Sequence, residues 1–124
     1  PCRSLRIGDW KYILNLHPEF YYTTHMDLTK PASPYYNRNW PSWVEAAKTN
    51  HEAAAFLRAY HSRPAEELYN VTTDPFEKQN LATAPEQQQR LEDMRKLVRQ
   101  RMREVGDDES LSGPPRYLKD HHLP

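Results

Sequence analysis

The sequence has little cysteine, no excess of either charge and no long hydrophobic run. A single cysteine cannot form a disulfide within the chain. Seventeen Lys and Arg residues balance seventeen Asp and Glu residues, so the basic excess that favours nucleic-acid binding is missing. No apolar run approaches the ~20 residues needed to cross a bilayer. These shortages give no support to a nucleic-acid-binding or membrane-spanning protein.

The composition suits one largely polar domain with a modest core. The chain has 124 residues, of which 37% are hydrophobic, and its mean hydropathy is -1.01. Eight tyrosines and three tryptophans offset this polarity in part, because each can bury a large ring and keep its polar tip in water.

Residues 2–16 predict a β-hairpin. Apolar residues alternate with polar ones on both sides of Gly8-Asp9, a pair typical of turns. The residues that share one face within each strand are Leu5 and Ile7, then Trp10, Tyr12 and Leu14.

Helix starts are predicted where a Ser or Thr is followed three residues later by Glu, the spacing of a capping box. Such spacing at Ser42 and Thr49, with an alanine-rich run, predicts two short helices, or one broken near Thr49, over residues 42–60. A third instance at Thr83 opens a longer helix, which Gly106 is expected to end. Its apolar stripe, at spacings of three and four, is Leu91, Met94, Val98, Met102 and Val105.

Two segments lack a regular pattern. Residues 17–41 combine four X-Pro steps with many aromatic residues, which predicts an irregular but packed loop. Residues 107–124 contain consecutive prolines and few apolar residues, so we expect an extended tail. That tail would fold back only if Tyr117 and Leu118 found a groove.

The fold class that follows is α+β. A β-prone run at residues 67–71, stopped by Asp74-Pro75, supplies a further strand. We expect a small antiparallel sheet with the long C-terminal helix packed on one face, in a domain of residues 1–106 followed by the tail 107–124.

One segment has a specific pattern. From Glu67 to Ala82 the chain reads Glu-Leu-Tyr, four residues, Asp-Pro, one residue, Glu, two residues, Asn-Leu-Ala. By residue chemistry alone this is a strand, a turn and a helix start without catalytic groups. The pattern resembles the signature near the C-terminal end of the formylglycine-dependent sulfatases. Residues 2–13 are similar to the strand pair that begins the same small domain, and the details look closest to the N-sulfoglucosamine (heparan) sulfohydrolase branch. The resemblance covers about residues 2 to 105.

The resemblance implies a fragment of an enzyme that hydrolyses sulfate from a sulfated sugar. The fragment would pack on the parent's N-terminal catalytic domain and complete the substrate cleft. Calcium and formylglycine are expected in the parent and not in this fragment, which should hold no catalytic residue and no metal ligand. The parent is expected to be periplasmic, secreted or lysosomal.

Cys2 invites a different assignment. In sulfatases the catalytic aldehyde forms from a Cys or Ser that is followed two residues later by Pro and four residues later by Arg. Arg6 fits that spacing, but Ser4 stands where Pro is required. Cys2 is therefore interpreted as a small strand residue.

Two residues are candidates for substrate binding. The resemblance places Arg3 beside the cleft. Its guanidinium could bind a sulfate or carboxylate bidentately, or it could form a structural salt bridge. His25 is the weaker candidate for lining the cleft. The six histidines lack the spacing of a metal site. Tyrosines that could stack on sugar rings or pack internally are Tyr21, Tyr22, Tyr35 and Tyr36.

The alternative function is a free-standing or non-catalytic interaction module that binds a partner through the aromatic loop at residues 20–43. A Met codon near residue 1 and a stop codon soon after Pro124 would favour the module. An upstream reading frame with Cys-x-Pro-x-Arg would favour the enzyme.

Overall fold

The computed structural model describes residues 1–28, 39–110 and 114–121. Its contacts group into two compact units, one of residues 1–17 with 64–114 and one of residues 18–63 with 115–124. The predicted boundary after residue 106 stays a prediction. In chain order the elements are β1 (Cys2–Ile7), β2 (Trp10–Asn15), α1 (His25–Leu28), α2 (Asn39–Ala47), α3 (His51–His61), β3 (Glu66–Asn70) and α4 (Gln88–Glu104), with 3₁₀ turns at Pro85–Gln87 and Leu118–Asp120.

The first unit contains the sheet. Its strands lie in the order β1-β2-β3, and both pairings are antiparallel. The hairpin turn is Gly8-Asp9, and Gly8 has φ +57°, a conformation that glycine adopts without a Cβ clash. The predicted hairpin is confirmed, and β3 lies one residue earlier than the predicted strand.

Helix α4 packs across one face of this sheet. The buried core joins four helix residues (Leu91, Met94, Val98 and Met102) to Tyr12, Leu14, Leu68 and Ala82. Each large apolar side chain buried there contributes roughly 1.5–3 kcal/mol. The α+β fold, with a small antiparallel sheet and the long helix on one face, is confirmed. Val105 is exposed because it follows the last helical turn, so the apolar stripe ends at Met102.

The predicted C-terminal cap of α4 is confirmed, and its predicted N-terminal cap is wrong. Gly106, at φ +71°, closes the C-terminal end, where Asp107 N–H donates to the Met102 carbonyl at 2.9 Å and Gly106 N–H to Arg103 at 3.2 Å. This is the glycine cap that was predicted. The capping box at Thr83 is wrong, because a 3₁₀ turn at Pro85–Gln87 precedes the helix and has no side-chain cap.

The second unit contains the two predicted short helices. Helix α2 begins at Asn39 and not at Ser42, since Pro41 fits a first turn whose N–H groups need no intrahelical acceptor. Ser42 Oγ instead donates to the Asn39 carbonyl at 2.7 Å. The cap of α3 is Asn50 and not Thr49: its side chain accepts from Glu52 N–H at 2.9 Å and Ala53 N–H at 3.1 Å.

The region predicted to be an irregular loop contains a short helix, α1. Thr24 and Asp27 form the capping pair that starts it: Thr24 Oγ1 accepts from Met26 N–H at 3.2 Å, and Asp27 Oδ1 accepts from Thr24 N–H at 2.7 Å. Residues 29–38 lie outside the described residues.

The described end of the tail folds back within the second unit. Phe20 and Tyr117 form an antiparallel bridge, with their rings edge to face at 5.2 Å. Tyr21 N–H donates to the Arg116 carbonyl at 2.7 Å, and Leu118 N–H donates to the Glu19 backbone carbonyl at 2.8 Å. This part of the tail therefore folds back through a backbone bridge and a ring contact, while Tyr117 stays 38% exposed.

Candidate functional site

Asn80, in the sulfatase-like signature, closes the free edge of β3. Its Oδ1 accepts from Leu68 N–H at 2.9 Å and from Ala82 N–H at 3.0 Å, while its Nδ2 donates to the Glu66 carbonyl at 3.1 Å. Leu81 N–H adds a bond to the Leu68 carbonyl at 2.8 Å. An amide can both donate and accept, so Asn80 supplies the hydrogen bonds that a neighbouring strand would otherwise make.

Asp74 and Glu77 hold the turn between β3 and α4. Asp74 Oδ2 accepts from Gln79 N–H at 2.8 Å, and backbone donors from Gln79 and Lys78 lower the pKa of this exposed carboxyl. Glu77 has φ +52°, which is uncommon for a residue with a Cβ. Both of its oxygens lie 2.8 Å from Lys11 Nζ, and this ion pair ties the turn to β2.

Glu67 and Tyr69 pair on the sheet face opposite Leu68. The Glu67 side chain, in a residue only 5% exposed, accepts from the Tyr69 hydroxyl at 2.6 Å and from Asn15 Nδ2 at 2.8 Å. A buried carboxylate needs such donors, because leaving it unpaired costs several kcal/mol. The polar residues of the signature thus make the hydrogen bonds and the ion pair that stabilise the connection between β3 and α4.

Arg3 faces a carboxylate of its own chain. Its Nη2 donates to Asp107 Oδ1 at 2.7 Å, and its Nε pairs with Oδ2 of the same group. Asp107 Oδ1 also accepts from Glu109 N–H at 3.0 Å. Arg3 and that backbone donor lower the pKa of Asp107 to about 2. Of the two roles weighed for Arg3, the structure contains the salt bridge, and substrate binding stays a prediction.

His25 is an exposed residue at the start of α1 in the second unit, whereas Arg3 lies in the first. A role of His25 in substrate binding stays a prediction.

A polar cluster that was not predicted from the sequence surrounds Asp27 in the second unit. Asp27 Oδ1 accepts from the Tyr60 hydroxyl at 3.2 Å, and Thr24 Oγ1 lies 2.6 Å from the same hydroxyl. His61 Nδ1 lies 2.9 Å from the Tyr22 carbonyl and 3.9 Å from Asp27 Oδ2. Because a carbonyl only accepts, Nδ1 carries a proton. Burial raises the pKa of Tyr60. The one sequence signal was the capping spacing from Thr24 to Asp27.

The described part of the aromatic loop packs within its own unit. The Tyr21 ring stacks with His61 at 4.2 Å and with His121 at 4.1 Å. Trp40 lies 4.8 Å from the Tyr60 ring, and the Arg63 guanidinium lies 4.6 Å above the Tyr22 ring. These contacts favour internal packing over sugar stacking for Tyr21 and Tyr22. Tyr35 and Tyr36 lie outside the described residues.

Sequence comparison gives the chain a relative. It is 33% identical over 115 residues to an ulvan-active sulfatase from Formosa agariphila. The chain resembles part of a sulfatase. The match covers 88% of this chain but 18% of that protein, so the chain spans less than a fifth of its relative's length. No protein-family model matches the chain. The match supports a sulfatase-related C-terminal domain, and it does not single out the N-sulfoglucosamine branch.

Across residues 1–28, 39–110 and 114–121, no group of three or more His, Cys, Asp or Glu side chains could hold a metal ion. Cys2 is an exposed free thiol at the start of β1. In the same part of the chain, no helix is long and apolar enough to cross a membrane.

Proposed function

We propose that this chain is the C-terminal region of a sulfatase that hydrolyses sulfate from a sulfated sugar. The observation that carries the proposal is the 33% identity to a sulfatase over 88% of the chain. The strand-turn-helix joint supports it, since the signature from Glu67 to Ala82 has a distinct contact for each polar position. The whole enzyme is expected in the periplasm, outside the cell or in lysosomes.

The role proposed for this region is structural. It would pack on the parent's N-terminal catalytic domain and complete the substrate cleft, and it should be inactive alone. Formylglycine and calcium are expected in the catalytic part, as the resemblance to the sulfatases implies. Arg3 could contribute to the cleft only by exchanging Asp107 for a substrate group.

The sugar is proposed at the level of its class. N-sulfoglucosamine is the substrate suggested by the details of the signature, and ulvan is the substrate named for the relative. Both belong in the assay, together with O-sulfated glucosamine, because the preferred substrate would distinguish the branches.

A second candidate, the interaction module, rests on one observation. Trp43 and Phe56 pack edge to face at 4.6 Å while staying 44% and 50% exposed, which leaves an apolar surface on the α2–α3 pair. A surface of this kind fits either a separate partner or a catalytic domain of the same protein.

The test begins with the gene. The reading frame upstream of Pro1 should contain Cys-x-Pro-x-Arg, and the whole protein should release sulfate from at least one of the three substrates. Changing the upstream Cys to Ala should abolish release. A gene without that frame, or a whole protein that releases no sulfate from any of them, would favour the interaction module.

A further inference from the structure

A groove lies on the face of the β-hairpin that points away from α4. It has a volume of about 360 Å³, within the roughly 300–1,000 Å³ range of small-molecule sites. Side chains alternate along strands, so Arg6 and Lys11 point away from the face on which Leu5 and Tyr12 pack. The polar residues that line the groove are Ser4, Arg6, Lys11 and Glu77, and Val71 and Pro75 form part of its wall.

Two cations stand side by side in this groove. Arg6 and Lys11 are direct partners in the register of β1 and β2. Side chains at such positions start about 4.5–5.5 Å apart, and like charges there destabilise a sheet. Among the described residues that line the groove, Glu77 is the one acidic residue, so it and the two cations together carry a net charge of +1.

The Glu77 carboxylate forms an ion pair with Lys11. Both Glu77 oxygens lie 2.8 Å from Lys11 Nζ. Arg6 Nε donates to the Gly8 carbonyl at 3.1 Å, and within the described residues its two terminal nitrogens have no acceptor. Those nitrogens form one end of a planar fork that matches two oxygens of a sulfate, phosphate or carboxylate.

We propose that this groove binds the sulfate group of a sulfated saccharide. Arg6 makes a bidentate contact with the sulfate. Lys11 supplies a second positive charge, and the Ser4 hydroxyl supplies a further hydrogen-bond donor. Val71 and Pro75 provide apolar wall for the carbon face of the sugar ring. The choice of sulfate over phosphate, which shares this chemistry, rests on the proposed function.

This site differs from the one predicted for Arg3. Arg3 is an odd-numbered residue of β1 and lies on the opposite face from Arg6, where Asp107 occupies its guanidinium. The groove would therefore bind the saccharide at a place other than the site predicted for Arg3.

The experiment is an NMR titration of the 124-residue chain at fixed ionic strength. The probes are O-sulfated glucosamine, glucosamine phosphorylated at the same position, and unmodified glucosamine. The sulfated sugar should shift the Arg6 side-chain signals and the amides of the hairpin, and unmodified glucosamine should not. Equal or tighter binding of the phosphorylated sugar would overturn the assignment to sulfate.

Three variants locate the site. Arg6→Gln should weaken binding about tenfold, because a charge-assisted contact is lost. Glu77→Gln should strengthen it, since Lys11 is then free to bind the anion. Arg103→Gln, which removes an exposed cation from α4, is the matched control and should leave affinity unchanged. Thermal unfolding of each variant verifies that it is folded.

The outcomes separate this proposal from the function of the parent. Unchanged affinity in Arg6→Gln, or an equal loss in Arg103→Gln, would overturn the groove even if the whole protein releases sulfate. A whole protein that releases no sulfate, beside a groove that binds as described, would overturn the sulfatase and leave the binding site standing.

Discussion

Arg95 of α4 and Glu66 of β3 form a bidentate ion pair. Arg95 Nε lies 2.6 Å from Oε1, and Nη2 lies 2.7 Å from Oε2. The Tyr12 hydroxyl donates to the same Oε1 at 2.5 Å. Arg95 and then Tyr12 lower the pKa of Glu66 by donating to it, and burial together with the adjacent carboxylate raises that of Tyr12. This network fastens the long helix to the sheet beside the apolar core.

Replacing Arg95 tests the contribution of that pair to stability. Arg95→Gln should lower the free energy of unfolding by about 1–2 kcal/mol, at the lower part of the range for charged hydrogen bonds because Arg95 is 39% exposed. Urea unfolding measures the change. Arg103→Gln on the same helix should stay within about 0.5 kcal/mol of wild type. Equal effects of the two substitutions would contradict a specific role for the pair.

The Arg3–Asp107 pair should make stability depend on pH. The pKa of Asp107 is about 2 in the folded chain against an ordinary value of 3.8, so the folded state binds this proton more weakly than the unfolded state. The stabilisation is therefore present above about pH 4 and is lost as pH falls towards about 2. Urea midpoints of wild type and Asp107→Asn should differ at neutral pH and converge over that interval. A difference that stays constant down to about pH 2 would exclude this carboxylate as its source.

Removing the amide of Asn80 should destabilise the joint between β3 and α4. Asn80→Ala removes three hydrogen bonds and leaves the backbone groups of Leu68 and Glu66 without this partner. We expect a loss of about 2–3 kcal/mol in the free energy of unfolding. Gln100→Ala, at an exposed position of α4, is the control and should change it by less than about 0.5 kcal/mol. A loss as small as that of the control would show that water replaces the amide.

The exposed pair Trp43 and Phe56 should make the isolated chain self-associate at high concentration. Phe56→Gln should shift sedimentation towards the monomer without lowering the thermal midpoint, because Phe56 is already 50% exposed. Phe76→Gln is a matched control, since Phe76 is 80% exposed but lies in the other unit. A wild-type chain that stays monomeric at high concentration would contradict this prediction.

The sheet and the long helix could be predicted because each follows from local periodicity. Tyr12 and Leu14 alternate with polar residues, and Leu91, Met94, Val98 and Met102 recur with the helical repeat, so burial on one face decides both elements. Gly106 was predictable for a similarly local reason, since few residues tolerate its φ.

The predicted starts of α2 and α3 were wrong because neighbouring residues compete for the same local role. Thr49 and Asn50 can both cap α3, and asparagine at the second position makes the bonds. At Ser42 the spacing was right for a cap, but Pro41 allowed the helix to begin earlier. Tertiary pairs such as Glu66 with Arg95, and Asp27 with His61, join residues 29 and 34 positions apart, and no local pattern specifies them.

The most direct test of the sulfatase assignment is sulfate release by the whole protein that contains this chain. The assignment predicts release from a sulfated sugar, with loss of that activity when the Cys of the upstream Cys-x-Pro-x-Arg is changed to Ala. A folded whole protein that releases no sulfate from N-sulfated glucosamine, O-sulfated glucosamine or ulvan would contradict it.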